Sequence, residues 1–247
     1  MEMPFDIKRV QDRLFNMAKT IATILEKNGI PYEIAFGTLL GAVRHGGFIP
    51  WDDDFDFFLF DDTYDKAMDV LDKELPADMF LENEKSEPNY FHNWAHVKDQ
   101  NSECKCEHYP HDELYSHHGI SVDLYKIKKM KLGDFAQFRY EQAIAYIERR
   151  KKLGFITPED FENRRKSYEE RKQKETVISD REILAYPFDI GMQYPEDVFP
   201  LKRYTIGDFQ FWGPQNPDHI LTMRYGNYKE LPPEEARIPH YNTVIFK

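Results

Sequence analysis

One stretch of the chain decides how the rest is interpreted, and it is Gly37-Thr38-Leu39-Leu40-Gly41-Ala42-Val43-Arg44-His45-Gly46-Gly47-Phe48-Ile49-Pro50-Trp51-Asp52-Asp53-Asp54-Phe55-Asp56. The glycines predict a turn region over residues 37–50, and the aromatic run Phe55–Phe60 that follows is typical of a strand. Because alternate side chains of a strand share one face, we expect Asp54 and Asp56 to point the same way. The phenylalanines at positions 55 and 57 should then point to the opposite, buried face.

The two carboxylates of this strand predict a metal site. Side chains two positions apart on a strand lie about 7 Å apart, and like charges this close repel unless a cation lies between them. Mg²⁺ and Mn²⁺ are hard ions that bind carboxylates together with substrate phosphates. The alternative is an acidic turn that stays solvated, but an unpaired carboxylate at the start of an aromatic strand is costly.

Asp123 is the candidate for a third ligand. It is the lone acid of the apolar run Ile120–Ile127, which is predicted to be another strand, and a charge in such a run needs a reason. An edge-strand aspartate that faces water is the alternative. If Asp123 joins Asp54 and Asp56, three carboxylates are available for metal ions.

Length and composition restrict the class of protein. The 247 residues, 41% of them hydrophobic and 31% charged, are enough for one folded domain with a core. The net charge of −11 argues against a groove that binds nucleic acid. No run approaches the ~20 apolar residues of a membrane span, and the N-terminus lacks a signal-peptide pattern. Two cysteines do not make a disulfide framework. We therefore expect a cytoplasmic protein, with peripheral association at the inner face of the membrane left open.

The remaining pattern mixes helices with strands. Predicted helices are a first segment that ends at Asn28-Gly29, then Thr63–Leu75, Phe135–Lys152, the highly charged Pro158–Lys174, and Pro217–Tyr225. Predicted strands are Pro31–Phe36, Trp94–Lys98 and a hairpin of Val198–Tyr204 with Phe209–Trp212, before a proline-rich tail. This order predicts an α/β (α+β) fold, a mixed sheet flanked by helices with a helical insert and a C-terminal hairpin. The charged helix is either a solvated arm or an arm that binds a partner.

The glycine–threonine turn, the acid-x-acid strand and the later lone acid resemble the nucleotidyltransferase fold of the polymerase-beta type. The resemblance is closer to the LicD family, which includes phosphocholine transferases of bacterial surface glycans and is related to fukutin and fukutin-related protein. It rests on the opening stretch, on Gly119-Ile120 to Asp123, on Phe199-Pro200-Leu201 with Phe209, and on Tyr225-Gly226 with Pro232. It implies a single domain over residues 1–247, with a core at about 31–132, a helical segment at about 133–185 and a C-terminal hairpin and helix at about 186–247.

The activity that this resemblance implies is phosphotransfer, as in lipopolysaccharide or teichoic acid biosynthesis. Phosphocholine would pass from CDP-choline to a hydroxyl of a cell-surface or lipid-linked glycan, and CMP would be released. Two alternatives remain open. One is transfer of a polyol phosphate from another CDP donor, and the other is a catalytically silent module that binds a nucleotide or a glycan.

The resemblance also implies roles for particular residues. Asp54, Asp56 and Asp123 would bind Mg²⁺ or Mn²⁺, and Asp123 would orient or deprotonate the acceptor hydroxyl. Arg44 and Lys98 would neutralise charge on the transferred phosphoryl group and on CMP, which makes Arg44 a further catalytic candidate. The other candidates for substrate binding are Gly37 and Thr38, which would lie against the donor phosphates, together with His45 and Trp51.

Choline recognition would need an aromatic face, because a quaternary ammonium group binds to the π-face of such side chains. The sequence offers Trp51, Tyr90, Phe91, Trp94 and Trp212. Spacing alone does not choose among them.

A cluster of cysteine and histidine residues raises the question of a second metal. Cys104, Cys106, His108 and His111 are zinc-type ligands, and His117-His118 follow. A C-x-C pair departs from the usual C-x₂₋₄-C spacing of structural zinc sites. The segment is therefore either a structural Zn²⁺ site or a polar loop that is flexible or faces the substrate.

Overall fold

The computed structural model describes residues 4–107, 114–186 and 191–247. The α-helices in these ranges are α1 (Ile7–Lys27), α2 (Phe36–Arg44), α3 (Asp61–Glu74), α4 (Phe135–Lys152), α5 (Pro158–Glu175), α6 (Pro195–Val198) and α7 (Pro217–Tyr225). The strands are β1 (Tyr32–Ile34), β2 (Asp56–Phe60), β3 (Met79–Glu82), β4 (Ala95–Asp99), β5 (Ser102–Lys105), β6 (Ser121–Lys131), β7 (Glu182–Ala185), β8 (Met192–Gln193), β9 (Lys202–Ile206), β10 (Phe209–Gly213) and β11 (Thr243–Phe246).

A mixed sheet forms the centre of the fold. Its main strands lie in the order β1-β2-β6-β4-β3, where β2 and β6 run parallel and the other neighbours run antiparallel. The long strand β6 extends past β2 and β4, and its second half pairs with β7, which in turn pairs with β8. Helices α1 and α3 pack on the sheet through β6. The predicted α/β class, a mixed sheet flanked by helices, is confirmed.

Helix α1 forms where the sequence predicts it. An apolar stripe from Leu14 to Leu25 is fully buried, as expected for side chains at helical spacing. The Asp6 carboxylate caps the start by accepting a hydrogen bond from the Arg9 N–H. Gly29 follows the end with φ +66°, a left-handed conformation that favours glycine.

Strand β2 is buried on both faces, and this places the acids. On one face Phe57 packs against Phe211 of β10, with ring centroids 6.1 Å apart. On the other face Phe58 packs against Tyr186, with centroids 4.7 Å apart. Asp56 shares the face of Phe58, because side chains alternate along a strand. The predicted opposition of acids and phenylalanines at the start of β2 is therefore confirmed.

The predicted turn over residues 37–50 is wrong in its first half, which forms helix α2. Gly41 lies inside this helix, where a glycine normally weakens the structure. A Cβ atom at Gly41 would lie 2.5 Å from the carbonyl oxygen of Gly47, so the position needs glycine for a close approach of two backbones. The glycine was thus a sign of tight packing rather than of a turn.

The second half of the chain contains the predicted helices and hairpin, with two corrections. Helix α4 has the predicted bounds, and α5 packs on α4 while most of its surface remains exposed. The hairpin β9–β10 is confirmed, but Val198 belongs to helix α6 and the first strand starts only at Lys202. The proline-rich tail also ends in a strand, β11, which pairs antiparallel with β5.

None of the helices in the described ranges is long and apolar enough to cross a bilayer.

Candidate active site

Two neighbouring strands of the sheet bring the predicted acids together. Asp56 at the start of β2 is the register partner of Asp123 in the parallel strand β6, and the Asp123 N–H donates a hydrogen bond of 2.8 Å to the Phe55 carbonyl oxygen. Asp54 lies directly before β2 and is partly buried. The three carboxylates therefore converge on one face at the edge of a parallel strand pair.

The positive charges near these acids do not offset the effect of their burial. Burial raises the pKa of Asp54 to about 6, and the nearby Asp123 carboxylate adds to this effect. Burial, Asp54 and Asp123 raise the pKa of Asp56 well above its ordinary value. The Oδ1 atom of Asp54 is buried and accepts no hydrogen bond from any described residue. An all-carboxylate donor set with an unsatisfied buried oxygen fits a hard divalent cation such as Mg²⁺ or Mn²⁺.

The Asp123 carboxylate is held in place by two side chains of its own strand β6 and by one from the segment before β4. The indole N–H of Trp94 and the hydroxyl of Tyr125 each donate to Oδ2 at 3.1 Å. The Ser121 hydroxyl donates to Oδ1 at 3.3 Å. These donors fix the orientation of the carboxylate.

A cavity of about 470 Å³ opens beside these acids. Asp54 and Asp123 line it together with Lys98, Trp94 and Tyr125. The rings of the last two residues are stacked, with centroids 5.3 Å apart. The cavity thus combines carboxylates, a lysine and an aromatic face, a set of groups that suits a ligand with both anionic and cationic parts.

The C-terminal segment forms part of the cavity wall, which the sequence did not predict. Asp53 is fully buried and accepts hydrogen bonds from the backbone N–H groups of His240 and Tyr241, at 2.9 and 2.8 Å. The Nδ1 atom of His240 lies 3.0 Å from Asp53 and 3.4 Å from Asp54. The hydrogen bond to Asp53 raises the pKa of His240 to about 9, so the imidazole is protonated at neutral pH.

A second group of possible metal ligands consists of Asp52, Asp53 and His240, whose ligand atoms lie within 4.8 Å of one another. Both oxygens of Asp53 already accept hydrogen bonds from the C-terminal segment, and a protonated imidazole has no lone pair for a metal. We therefore assign this group to holding the C-terminal segment. No short-range sequence signal connects residues 53 and 240.

Comparison with known proteins places this architecture in a family. A family model described as "LicD/FKTN/FKRP, nucleotidyltransferase domain" matches residues 29–216. The chain belongs to the LicD family. The lipopolysaccharide cholinephosphotransferase LicD of Haemophilus influenzae is 26% identical over 244 residues, which cover 92% of this chain and 92% of that protein. Uncharacterised proteins of Rickettsia prowazekii and Rickettsia typhi are 28% and 30% identical, over 55% and 49% of this chain and 53% and 40% of their own lengths.

The LicD-family stretch from Gly37 to Trp51 contacts the segment that carries the acids. The Thr38 hydroxyl accepts a hydrogen bond of 2.9 Å from the Asp56 N–H, so it supports the start of β2. A Cβ atom at Gly37 would lie 2.9 Å from Oδ2 of Asp52, so a larger residue at this position would displace that carboxylate. His45 packs edge-on against the Trp51 ring at 6.2 Å.

The two predicted cations occupy different places. Lys98 on β4 is 5% exposed and lines the cavity. The Arg44 guanidinium instead donates to the carbonyl oxygens of Tyr228 and Glu230, at 2.8 and 3.3 Å, and burial lowers its pKa. Arg44 thus ties helix α2 to the segment that follows helix α7.

Arg224 on helix α7 is a cation that the sequence interpretation missed. Its guanidinium lies 4.2 Å from the centroid of the Phe36 ring, and its charge opposes the raised pKa of Asp56. The sequence contains a signal for this residue, because Arg224 directly precedes the Tyr225-Gly226 pair on which the LicD resemblance rests.

The predicted zinc ligands divide between described and undescribed parts of the chain. Cys104 and Cys106 lie at β5 on the cavity wall, and their thiols donate to the carbonyl oxygens of His118 and His240, each at 3.2 Å. His108 and His111 lie outside the described residues. The structural zinc site therefore stays a prediction.

Proposed function

We propose that this protein is a phosphotransferase that moves phosphocholine from CDP-choline to a hydroxyl of a cell-surface or lipid-linked glycan and releases CMP. The convergence of Asp54, Asp56 and Asp123 beside an aromatic cavity carries the proposal. Membership in the LicD family and the similarity to the cholinephosphotransferase of Haemophilus influenzae support it. The activity of that relative suggests lipopolysaccharide, or a glycan like it, as the acceptor.

Asp54, Asp56 and Asp123 are the proposed ligands of Mg²⁺ or Mn²⁺, which as a Lewis acid would stabilise negative charge on phosphoryl oxygens. Asp123 has a second proposed role toward the acceptor. A carboxylate whose orientation is fixed by Trp94 and Tyr125 can accept the proton of a hydroxyl as that hydroxyl attacks phosphorus. The new bond joins the acceptor oxygen to phosphorus, and the bond that breaks links this phosphorus to the oxygen that leaves with CMP.

Lys98 is the proposed cation for the leaving group. Its side chain lies in the cavity wall, buried among the strands, where a positive charge acts more strongly than in water. Arg44 is proposed to act on the same reaction from the α2 side, through the C-terminal segment that its guanidinium holds. Gly37 and Thr38 are the proposed neighbours of the donor phosphates.

Trp94 and Tyr125 are the proposed face for the choline group, because their stacked rings line the cavity next to the acids. The other aromatic candidates have different partners. Trp212 lies under the Arg203 guanidinium at 3.8 Å, and Arg237 lies 5.5 Å from the Trp51 ring centroid. Tyr90 and Phe91 belong to a small hydrophobic cluster with Tyr115.

Calorimetric titration of CDP-choline, CDP-ribitol, CDP-glycerol and CMP, each with and without Mg²⁺, tests the proposal. We expect CDP-choline to bind more tightly than the other donors and only when Mg²⁺ is present. Asp54→Asn should lose this dependence on Mg²⁺, whereas the exposed acid Asp62 offers a matched control, Asp62→Asn, that should keep it. Preference for another CDP donor would reassign the transferred group. Failure of every donor to bind would contradict the proposal and favour a silent binding module.

A further inference from the structure

A row of four ionisable side chains crosses the sheet, and only half of it belongs to the predicted metal site. Asp56 on β2 is the register partner of Asp123 on β6, which is in turn the partner of His96 on β4, whose partner on β3 is Glu82. Cross-strand partners place their side chains on the same face. The row therefore continues from the acids through an imidazole to a fourth carboxylate.

The outer half of the row is deeply buried. Glu82 is 0% exposed and His96 is 4% exposed. Nδ1 of His96 lies 3.0 Å from Oε2 of Glu82, which is hydrogen-bond distance. A buried carboxylate is costly without such a partner, which explains why the two residues occur together.

This hydrogen bond fixes the orientation of the imidazole ring. With Nδ1 directed at Glu82, the opposite nitrogen Nε2 faces Asp123 and lies 3.7 Å from its Oδ1. The ring is also held from the sides, because the His92 and Trp94 rings pack edge-on or tilted against it at 5.1 and 5.8 Å. A carboxylate that orients a histidine through one nitrogen, so that the other can act, recurs at metal and catalytic sites.

We propose that His96, oriented by Glu82, is a positioning residue for Asp123 in the reaction. This inference rests on the proposed phosphotransfer for its effect on rate, but the geometry that it describes belongs to the protein alone. Trp94 and Tyr125 hold Oδ2 of Asp123, and His96 approaches Oδ1, so the row limits rotation of the carboxylate that faces the acceptor hydroxyl. Outer partners of this kind typically contribute about 10- to 100-fold to activity or metal affinity.

Two substitutions of His96 separate its contact with Glu82 from its contact with Asp123. The amide nitrogen of asparagine can occupy the place of Nδ1, so His96→Asn keeps a donor for Glu82 and loses the contact with Asp123. The amide nitrogen of glutamine can reach the place of Nε2, so His96→Gln keeps a donor toward Asp123. We expect His96→Asn to lower kcat about 10- to 100-fold without a matching rise in KM for CDP-choline, and His96→Gln to restore most of the loss. The kcat of Glu82→Gln, a nearly isosteric variant, should lie between those of the two His96 variants.

A second readout does not depend on turnover. The chain has three tryptophans, so its indole N–H groups give three NMR signals, and the Trp94→Phe variant identifies the one from the donor to Asp123. We expect the Trp94 signal to move in His96→Asn and Glu82→Gln while those of Trp51 and Trp212 stay in place. The matched control is His219→Gln, which removes another histidine–carboxylate pair, 2.6 Å from Asp197, far along the chain on α7. It should change neither the rate nor the Trp94 signal.

The outcomes separate the two proposals. If the unaltered protein shows no turnover with CDP-choline, the proposed function fails, and the Trp94 signal still decides the role of His96. An unmoved Trp94 signal in His96→Asn would overturn the positioning role. Equal losses of kcat in His96→Asn and His96→Gln, accompanied by equal losses of thermal stability, would also overturn the positioning role, because His96 would then only fill the core.

Discussion

The contact between Asp53 and the C-terminal segment gives a prediction that can be worked through from the structure. Asp53→Asn keeps the volume of the side chain but replaces one carboxylate oxygen with an amide nitrogen, which cannot accept a hydrogen bond. At least one of the two backbone N–H groups, of His240 or Tyr241, then loses its acceptor. A hydrogen bond to a charged group contributes about 1.5–3 kcal/mol. Since about 1.4 kcal/mol corresponds to a factor of ten, the segment should open roughly 10- to 100-fold more often.

Hydrogen exchange of the β11 amides measures this opening directly, because β11 is held by pairing with β5 and by Asp53. We expect exchange over Thr243–Phe246 to accelerate by that factor in Asp53→Asn, while α1 exchanges at its usual rate. Glu103→Gln is the matched control, since it removes only an exposed ion pair between β5 and Lys247 at 3.1 Å, worth less than about 1 kcal/mol. Unchanged β11 exchange in Asp53→Asn would refute the reasoning, because Asp53 would then contribute nothing to holding β11.

Three further predictions follow from other contacts. The pKa of His240 is raised from 6.5 to about 9, so the contribution of His240 to docking of the C-terminal segment is complete below pH 6.5 and disappears as the pH rises through 9. Once the intrinsic pH dependence of hydrogen exchange is subtracted, the exchange rate of the β11 amides should therefore rise between these pH values. A flat profile would contradict this prediction. Asp56→Asn should reduce turnover by orders of magnitude yet raise the melting temperature of the metal-free protein, because it removes one of several mutually repelling buried charges; a near-normal rate would exclude the carboxylate site. Gly119→Ala should destabilise the fold by about 3 kcal/mol or more, because the new Cβ would lie 1.7 Å from the Asp99 carbonyl oxygen, whereas Gly47→Ala has no atom within 4 Å and should be tolerated in the same denaturant titration.

Much of the fold could be predicted because its signals are local. The apolar stripe of α1, the aromatic strand β2 and the helix α7 before Gly226 each carry their pattern within a few residues. Helix α2 was predicted wrongly because glycine has two uses. Gly41 permits a close backbone approach to Gly47, and in a single sequence this looks the same as a turn.

The site divides in the same way. The closeness of Asp56 and Asp123 could be predicted because an acid inside an apolar strand is unusual, and the role of Asp54, Asp56 and Asp123 as metal ligands stays a prediction. His240 and the pair of Glu82 with His96 could not be predicted, because each has a meaning only through a partner that the sheet brings in from a distant part of the chain. For Arg44 the sequence signal was misleading. Its position in the motif predicts a residue that contacts substrate, but its guanidinium donates hydrogen bonds to backbone carbonyl oxygens.

The parallel pairing of β2 with β6 has a consequence for how the protein matures. It joins position 56 to position 123, and the chain between them contains β3 and β4, which belong to the same sheet, and β5, which pairs with β11. Long-range pairings of this kind form late, since the entropy of a large loop opposes them until other contacts are made. In the nascent chain Asp56 and Asp123 are therefore too far apart to share an ion. Loading with the proposed divalent cation would then follow folding, and a cell short of that cation would accumulate a folded but inactive protein rather than a misfolded one.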